Sequence, residues 1–164
     1  MKNLFLILIF LSGTIYSSII LGKVKKGVKI HVPLTIGSFE ITSNRIKGGK
    51  IKKEGDSLIV NDIYVPTNKL KTGIDLRDEH MRERIKNENV IVKKAIGKNG
   101  VGKGTIIIRD IEKEFNFKYE RINNKYIKAT FKLNLEDFKI PNLSYAGVGV
   151  EGIIDLEITL PFSE

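Results

Sequence analysis

Four side chains able to hold or move charge, Arg77, Asp78, Glu79 and His80, fall together in Leu76-Arg77-Asp78-Glu79-His80-Met81. At about 100° per residue, a helix puts Leu76, His80, Arg84, Arg77, Met81 and Ile85 on one half and Glu79, Lys86, Arg82 and Glu83 on the other. Arg77 and His80 then share the apolar side. A guanidinium withdrawn from water needs an anion, and Asp78 is a poor partner because adjacent residues diverge on a helix. The anion is either a carboxylate from another element or the head of a bound ligand. Arg77, Asp78 and His80 therefore either tie the helix to the rest of the fold or contact a ligand head group. Acid–base catalysis by His80 and Asp78 is the enzymatic rival. It lacks company, because the only other histidine is His31 and no nucleophile or metal-ligand set stands at the required spacing. With no cysteine, thiolate metal sites, thiol nucleophiles and disulfides are excluded as well. No metal, cofactor or catalytic residue is expected.

The elements that would position these residues read as strands. Val148, Val150, Gly152, Ile154, Leu156, Ile158 and Leu160 alternate with polar residues, as do Phe131, Leu133, Leu135 and Val28, Ile30, Val32, Leu34, Ile36. Pro33 lacks an amide donor, which places the first strand at an edge or gives it a bulge. Further strands are expected over 39–46, 49–53, 57–65, 89–96, 105–111 and 114–121, punctuated by Gly48-Gly49, Gly55-Asp56, Asn99-Gly100 and Asn123-Asn124. This is the spacing of hairpins, with no βαβ rhythm, and it predicts an all-β antiparallel barrel or sandwich. One helix interrupts it over 75–86, where Asp75 can cap the first turn and Asp78 can reach back.

The N-terminus has the layout of a secretory signal peptide: Lys2, the apolar run 4–11, then Ser12, Gly13, Thr14 and Ser17-Ser18. Residues 1–18 are read as cleaved and 19–164 as one domain, in the periplasm or secreted. An uncleaved anchor is the alternative, since no charge falls between Lys2 and Lys23.

Around the predicted helix, Leu70-Lys71-Thr72-Gly73-Ile74-Asp75-Leu76-Arg77-Asp78-Glu79-His80-Met81 resembles the signature of the YceI-like family of exported bacterial proteins, with Thr-Gly followed by Arg-Asp-x-His. The likeness continues in family order through Gly104–Arg109, Leu135-Glu136-Asp137-Phe138 and the alternating run to Leu160, and extends from residue 24 to the C-terminus. It implies an eight-stranded, lipocalin-like barrel enclosing a polyisoprenoid or fatty-acyl lipid, and a carrier or store without a reaction. Lys139 stands where the family usually has Gly, Asp110 likewise, and the usual His-Ser opening strand is missing.

On that reading, inward apolar residues including Phe117, Phe131, Leu133, Ile154, Leu156 and Ile158 line a lipid cavity, and Arg77, Asp78 and His80 orient its head group. The structural rival is a barrel filled by these same side chains, acting as an envelope interaction module. Residues 97–103 approach a phosphate-binding loop, but Gly104 stands where Ser or Thr is required and the following residues read as strand rather than helix. With 28 Lys and Arg against 19 Asp and Glu, the chain carries +9, which favours anionic partners. Nine of these cations lie in residues 23–53, read either as a solvated face or as a dock for an anionic membrane surface. Nucleic acid is not expected as a partner.

Overall fold

The computed structural model describes residues 24–141, 144–145 and 148–163; the expected signal peptide or anchor lies outside them. In chain order the elements are β1 (Gly27–Pro33), β2 (Ser38–Ser43), β3 (Lys47–Gly48), β4 (Ile51–Glu54), β5 (Ser57–Pro66), a 3-10 turn (Thr67–Lys69) and α1 (Asp75–Ile85). There follow β6 (Asn89–Lys98), β7 (Val101–Ile108), β8 (Ile111–Asn123), β9 (Tyr126–Asn134), a second 3-10 turn (Leu135–Phe138), β10 (Ser144–Tyr145), β11 (Val148–Gly149) and β12 (Ile153–Pro161).

Alternation places most side chains as expected, except that β1 ends at Pro33 and Ile36, the last residue of its expected apolar row, is 76% exposed. In β12, Ile154, Leu156, Ile158 and Leu160 are buried, while Asp155 pairs with Lys132 of β9 at 2.7 Å outside. In β9, Ile127, Phe131 and Leu133 turn inward. Two-residue turns join the central hairpins: Asn99 and Gly100 have φ of 53° and 83° between β6 and β7, and Arg109 and Asp110 have 53° and 61° between β7 and β8. Left-handed conformations at both turn positions match the right-handed twist of the flanking strands.

Ten strands form one antiparallel sheet in the order β2-β1-β12-β9-β8-β7-β6-β5-β3, with β4 continuing the outer edge along β5. β10 and β11 form a separate two-stranded ribbon. Eight strands were expected. The difference arises because β3 and β4 divide one edge and β2 adds another, while the alternating 148–160 run is split between β11 and β12. Pro33 also differs from expectation: β1 is interior, between β2 and β12, and Pro33 closes its last pair with Ser38, at the strand's end.

The sheet curls into an open half-barrel. Gly49, between β3 and β4, lies where a Cβ would come within 3.0 Å of Leu160 in β12 and 3.3 Å of Ile63 in β5, so strands from the two halves meet across the interior. Among the described residues, no ladder joins β2 to β3 or β4, and the ring is not closed by hydrogen-bonded strands. Among the described residues, a β-bridge links the two sides, and Lys26 Nζ donates to the Gly48 carbonyl of β3 at 2.9 Å. The chain leaving β5 crosses to β2, where Lys71 and Thr42 exchange backbone hydrogen bonds of 2.8 and 2.9 Å.

Candidate functional site

The site begins with an aromatic row on β8. Phe115, Phe117 and Tyr119 occupy alternate positions and therefore one face. Their ring centroids are 5.9 and 6.1 Å apart along the row, and Phe115 lies 4.3 Å from Phe131 of β9 at an interplanar angle of 30°. Glycines opposite them make the room. Gly102 is the cross-strand partner of Phe117 and Gly104 of Phe115, and Gly97 faces Gly102. A Cβ would come within 2.4 Å of Phe117 at Gly102, 2.6 Å of Phe115 at Gly104 and 2.6 Å of Tyr119 at Gly97. The glycines that resembled a phosphate loop thus lie on a strand–turn–strand hairpin and make a floor for aromatic rings.

These rings line one side of an apolar cavity between β4–β6 and β8, β9 and β12. Its empty volume is about 560 Å³, including its opening to solvent. Ile51, Leu58, Val60 and Ile63 form the opposite wall, and Ala95 and Ala129 contribute short side chains. Of the six expected lining residues, Phe117, Phe131 and Ile158 face the cavity. Leu133, Ile154 and Leu156 do not line it; they are buried in the filled part of the core that also holds Leu70 and Phe138, each 1% exposed. The interior is consequently part open and part packed. Sequence reasoning missed the wall from β4 and β5 and the glycine floor, since both depend on which strands become neighbours.

α1 stands apart from this cavity: none of Arg77, Asp78 and His80 lines it. Ile74, rather than Asp75, occupies the N-cap position, and its side chain makes no capping bond. Asp78 does reach back, but to Thr72: the Thr72 backbone N–H and Oγ1 donate to Oδ1 at 2.7 and 2.8 Å, and Lys71 Nζ lies 3.1 Å from Oδ2. Gly73 between them has φ +84°, a conformation that favours glycine. The Thr-Gly and Asp of the signature therefore form one structural clasp, joined through Lys71 to β2. Burial pushes the Asp78 carboxyl up, yet the two hydrogen bonds from Thr72 and the Lys71 ammonium outweigh it and hold the group below its ordinary value.

Arg77 meets a ring rather than an anion, its guanidinium lying 4.3 Å from the centroid of Phe39 in β2. The helix is rotated from the expected face. Asp78 is buried and Met81 and Ile85 pack on the core, whereas Leu76 is 61% exposed and His80 is exposed. Tertiary contacts with Thr72 and Phe39 set the rotation; the apolar pattern of α1 is too weak to do so.

Among the described residues, no group of three His, Cys, Asp or Glu side chains is placed to hold a metal. Residues 23–162 match the model of the YceI-like domain. The chain belongs to the YceI-like family. The clasp and the glycine-backed hairpin are therefore features of this YceI-like domain. No curated protein matches the chain. Among solved structures, a polyisoprenoid binding domain from Saccharophagus degradans implicated in plant cell wall breakdown is similar. Identity is 10% and the TM-score 0.60, over 84% of this chain and 93% of that one, a likeness of fold.

Proposed function

We propose that this YceI-like protein binds the apolar tail of an isoprenoid or fatty-acyl lipid in the cavity beside Phe117 and carries or stores it in the cell envelope. The observation behind this reading is the cavity itself. It opens to solvent, and its aliphatic and aromatic lining offers a tail no polar side-chain competitor beyond the Tyr119 hydroxyl. Each 100 Å² of apolar ligand surface removed from water contributes about 2.5 kcal/mol, so a tail alone supplies substantial affinity. The fold shared with a polyisoprenoid binding domain supports the same ligand class. Head-group contacts by Arg77 and His80 require a ligand that extends beyond this cavity to α1, while Asp78 is occupied by Thr72. The envelope address rests on residues 1–18 acting as a cleaved signal, which an intact mass beginning near Ile19 checks.

Native mass spectrometry of the purified protein, followed by organic extraction, tests the binding. A stoichiometric apolar lipid is expected. Ala129→Leu, which projects a larger side chain into the cavity, should lower loading at least about tenfold while the chain stays folded. A clean unliganded mass that resists loading with added polyisoprenoids would instead favour the filled interaction module.

A further inference from the structure

Some strand lysines meet carboxylates: Lys29 with Glu40 at 2.7 Å, Lys93 with Glu112 at 3.1 Å, Lys128 with Glu120 at 2.9 Å and Lys132 with Asp155 at 2.7 Å, whereas others such as Lys94, Lys103 and Lys113 are exposed and form no ion pair among the described residues. A groove between the β2–β3 connection, the turn after β5 and the C-terminal end of α1 gathers cations from separate elements. Arg45, Lys47, Lys69, Arg82 and Lys86 line it, and Glu88 is its sole acidic lining residue. Among the described residues, none of these five cations forms an ion pair.

Local structure accounts for only part of this cluster. Arg82 and Lys86 sit where the carbonyl end of α1 carries partial negative charge, which favours cations there. Arg45, Lys47 and Lys69 come from other elements, so assembling all five costs mutual repulsion that the single carboxylate of Glu88 offsets only in part. The groove also presents the side-chain amides of Asn44, Asn68 and Asn89, which can donate to phosphate oxygens and exchange hydrogen bonds with hydroxyls. Arg84, Arg109 and Lys139, with Glu83 as the one acidic residue, line an adjoining depression that shares Lys86, extending a net positive surface around the end of the helix.

We infer that this groove is the docking surface for the phosphate-bearing head groups of an anionic bilayer. The inference rests on the lipid-binding reading above: a tail that fills an apolar cavity is nearly insoluble in water, so its binding protein must meet a membrane to take it up or release it. Charge complementarity then selects the face. The groove joins Lys69, Arg82 of α1 and its C-cap residue Lys86 to Arg45 and Lys47, which belong to the basic run of residues 23–53.

Vesicle co-sedimentation of the full chain tests it, comparing neutral phosphatidylcholine vesicles with vesicles containing 30% phosphatidylglycerol (roughly the anionic content that gives a strong surface potential). The apolar N-terminal stretch contributes to both alike, so the readout is the gain on adding anionic lipid. Arg45→Gln, Lys69→Gln and Lys86→Gln together, all exposed positions, should reduce that gain on the order of 100-fold. Lys52→Gln, Lys53→Gln and Lys103→Gln, which remove equal charge outside the groove, should reduce it far less. Equal losses in the two triple variants, or none, overturn the proposal. So does a groove-dependent preference for a single-stranded oligonucleotide over the vesicles. Loading of a soluble short-chain isoprenoid is measured alongside. Normal loading with no groove effect defeats the docking surface alone, whereas groove-dependent docking with no loading defeats the cavity reading and leaves the surface standing.

Discussion

Asp78 shows how a residue that looks chemical can be architectural. Its folded-state pKa is lowered, so its contribution to stability is complete above the unfolded value of about 3.9 and is lost as pH falls through the folded value. Wild-type stability should therefore decline on the acid side below about pH 4, and Asp78→Asn should flatten that decline. Near neutral pH, Asp78→Ala should cost about 1–3 kcal/mol, because the Thr72 amide loses its acceptor. Urea melts across pH check both effects; an acid limb unchanged by Asp78→Asn would assign the decline to other carboxylates. Lys139 makes a different case. It holds φ 53° at the end of the second 3-10 turn, with its amide donating to Glu136 and Leu135 and its carbonyl accepting from Arg109. Since these are backbone groups, Lys139→Gly keeps the contacts and removes the left-handed strain. Stability should rise by about 0.5–1 kcal/mol, read as an increased denaturation midpoint.

At the scale of elements, the β6–β7–β8 meander is built around glycine–aromatic pairing. Gly102 lacks a positive φ, so its requirement is spatial: a Cβ there would lie 2.4 Å from both the Ile96 carbonyl oxygen and Phe117. A carbonyl in a ladder cannot retreat as a flexible side chain can. Gly102→Ala should consequently destabilise by about 2–4 kcal/mol and displace Phe117 from the cavity wall. Gly55→Ala offers the comparison, since a Cβ there meets nothing within 4 Å and only its φ of +58° is strained. It should cost about 1 kcal/mol. Thermal unfolding of the two variants separates them, and equal losses would mean that the hairpin accommodates the methyl by sliding. The helix obeys another logic: α1 is held by the Asp78–Thr72 clasp and Phe39 rather than by a strong apolar stripe, so its orientation is set from outside.

For the whole molecule, the open half-barrel combines a packed region around Leu70 and Phe138 with a cavity beside Phe115, Phe117 and Phe131. Phe131 belongs to the boundary, 7% exposed and stacked on Phe115. Phe131→Ala should cost about 3–5 kcal/mol in the unliganded protein. A lipid that also fills the vacated space should narrow this deficit, because a ligand that binds only the folded state stabilises it by mass action. Calorimetry with and without an isoprenoid checks it; a deficit unmoved by lipid would place the ligand elsewhere.

Strand periodicity, hairpin positions and the helix, expected over 75–86 and found over Asp75–Ile85, were legible because each follows from a local period of two or from capping and turn chemistry within a few residues. Family membership was equally legible, carried by Thr72-Gly73 and Arg77-Asp78-x-His80. Pairing depends on separation along the chain, and this is where the reading stopped. The sequence alone could neither show that β2 adds an edge nor decide which half of the inward row stays open. It placed Arg77 near an anion and His80 on the apolar side, whereas Phe39 and Thr72, distant or off the helix, settled the face that α1 buries. Local alternation by itself determined which residues point inward within the strands, though not where a strand ends, as exposed Ile36 beyond Pro33 shows. Only the tertiary structure decided what they meet there, because the glycine floor, the far wall of the cavity and the cation groove exist only once remote strands and turns become neighbours.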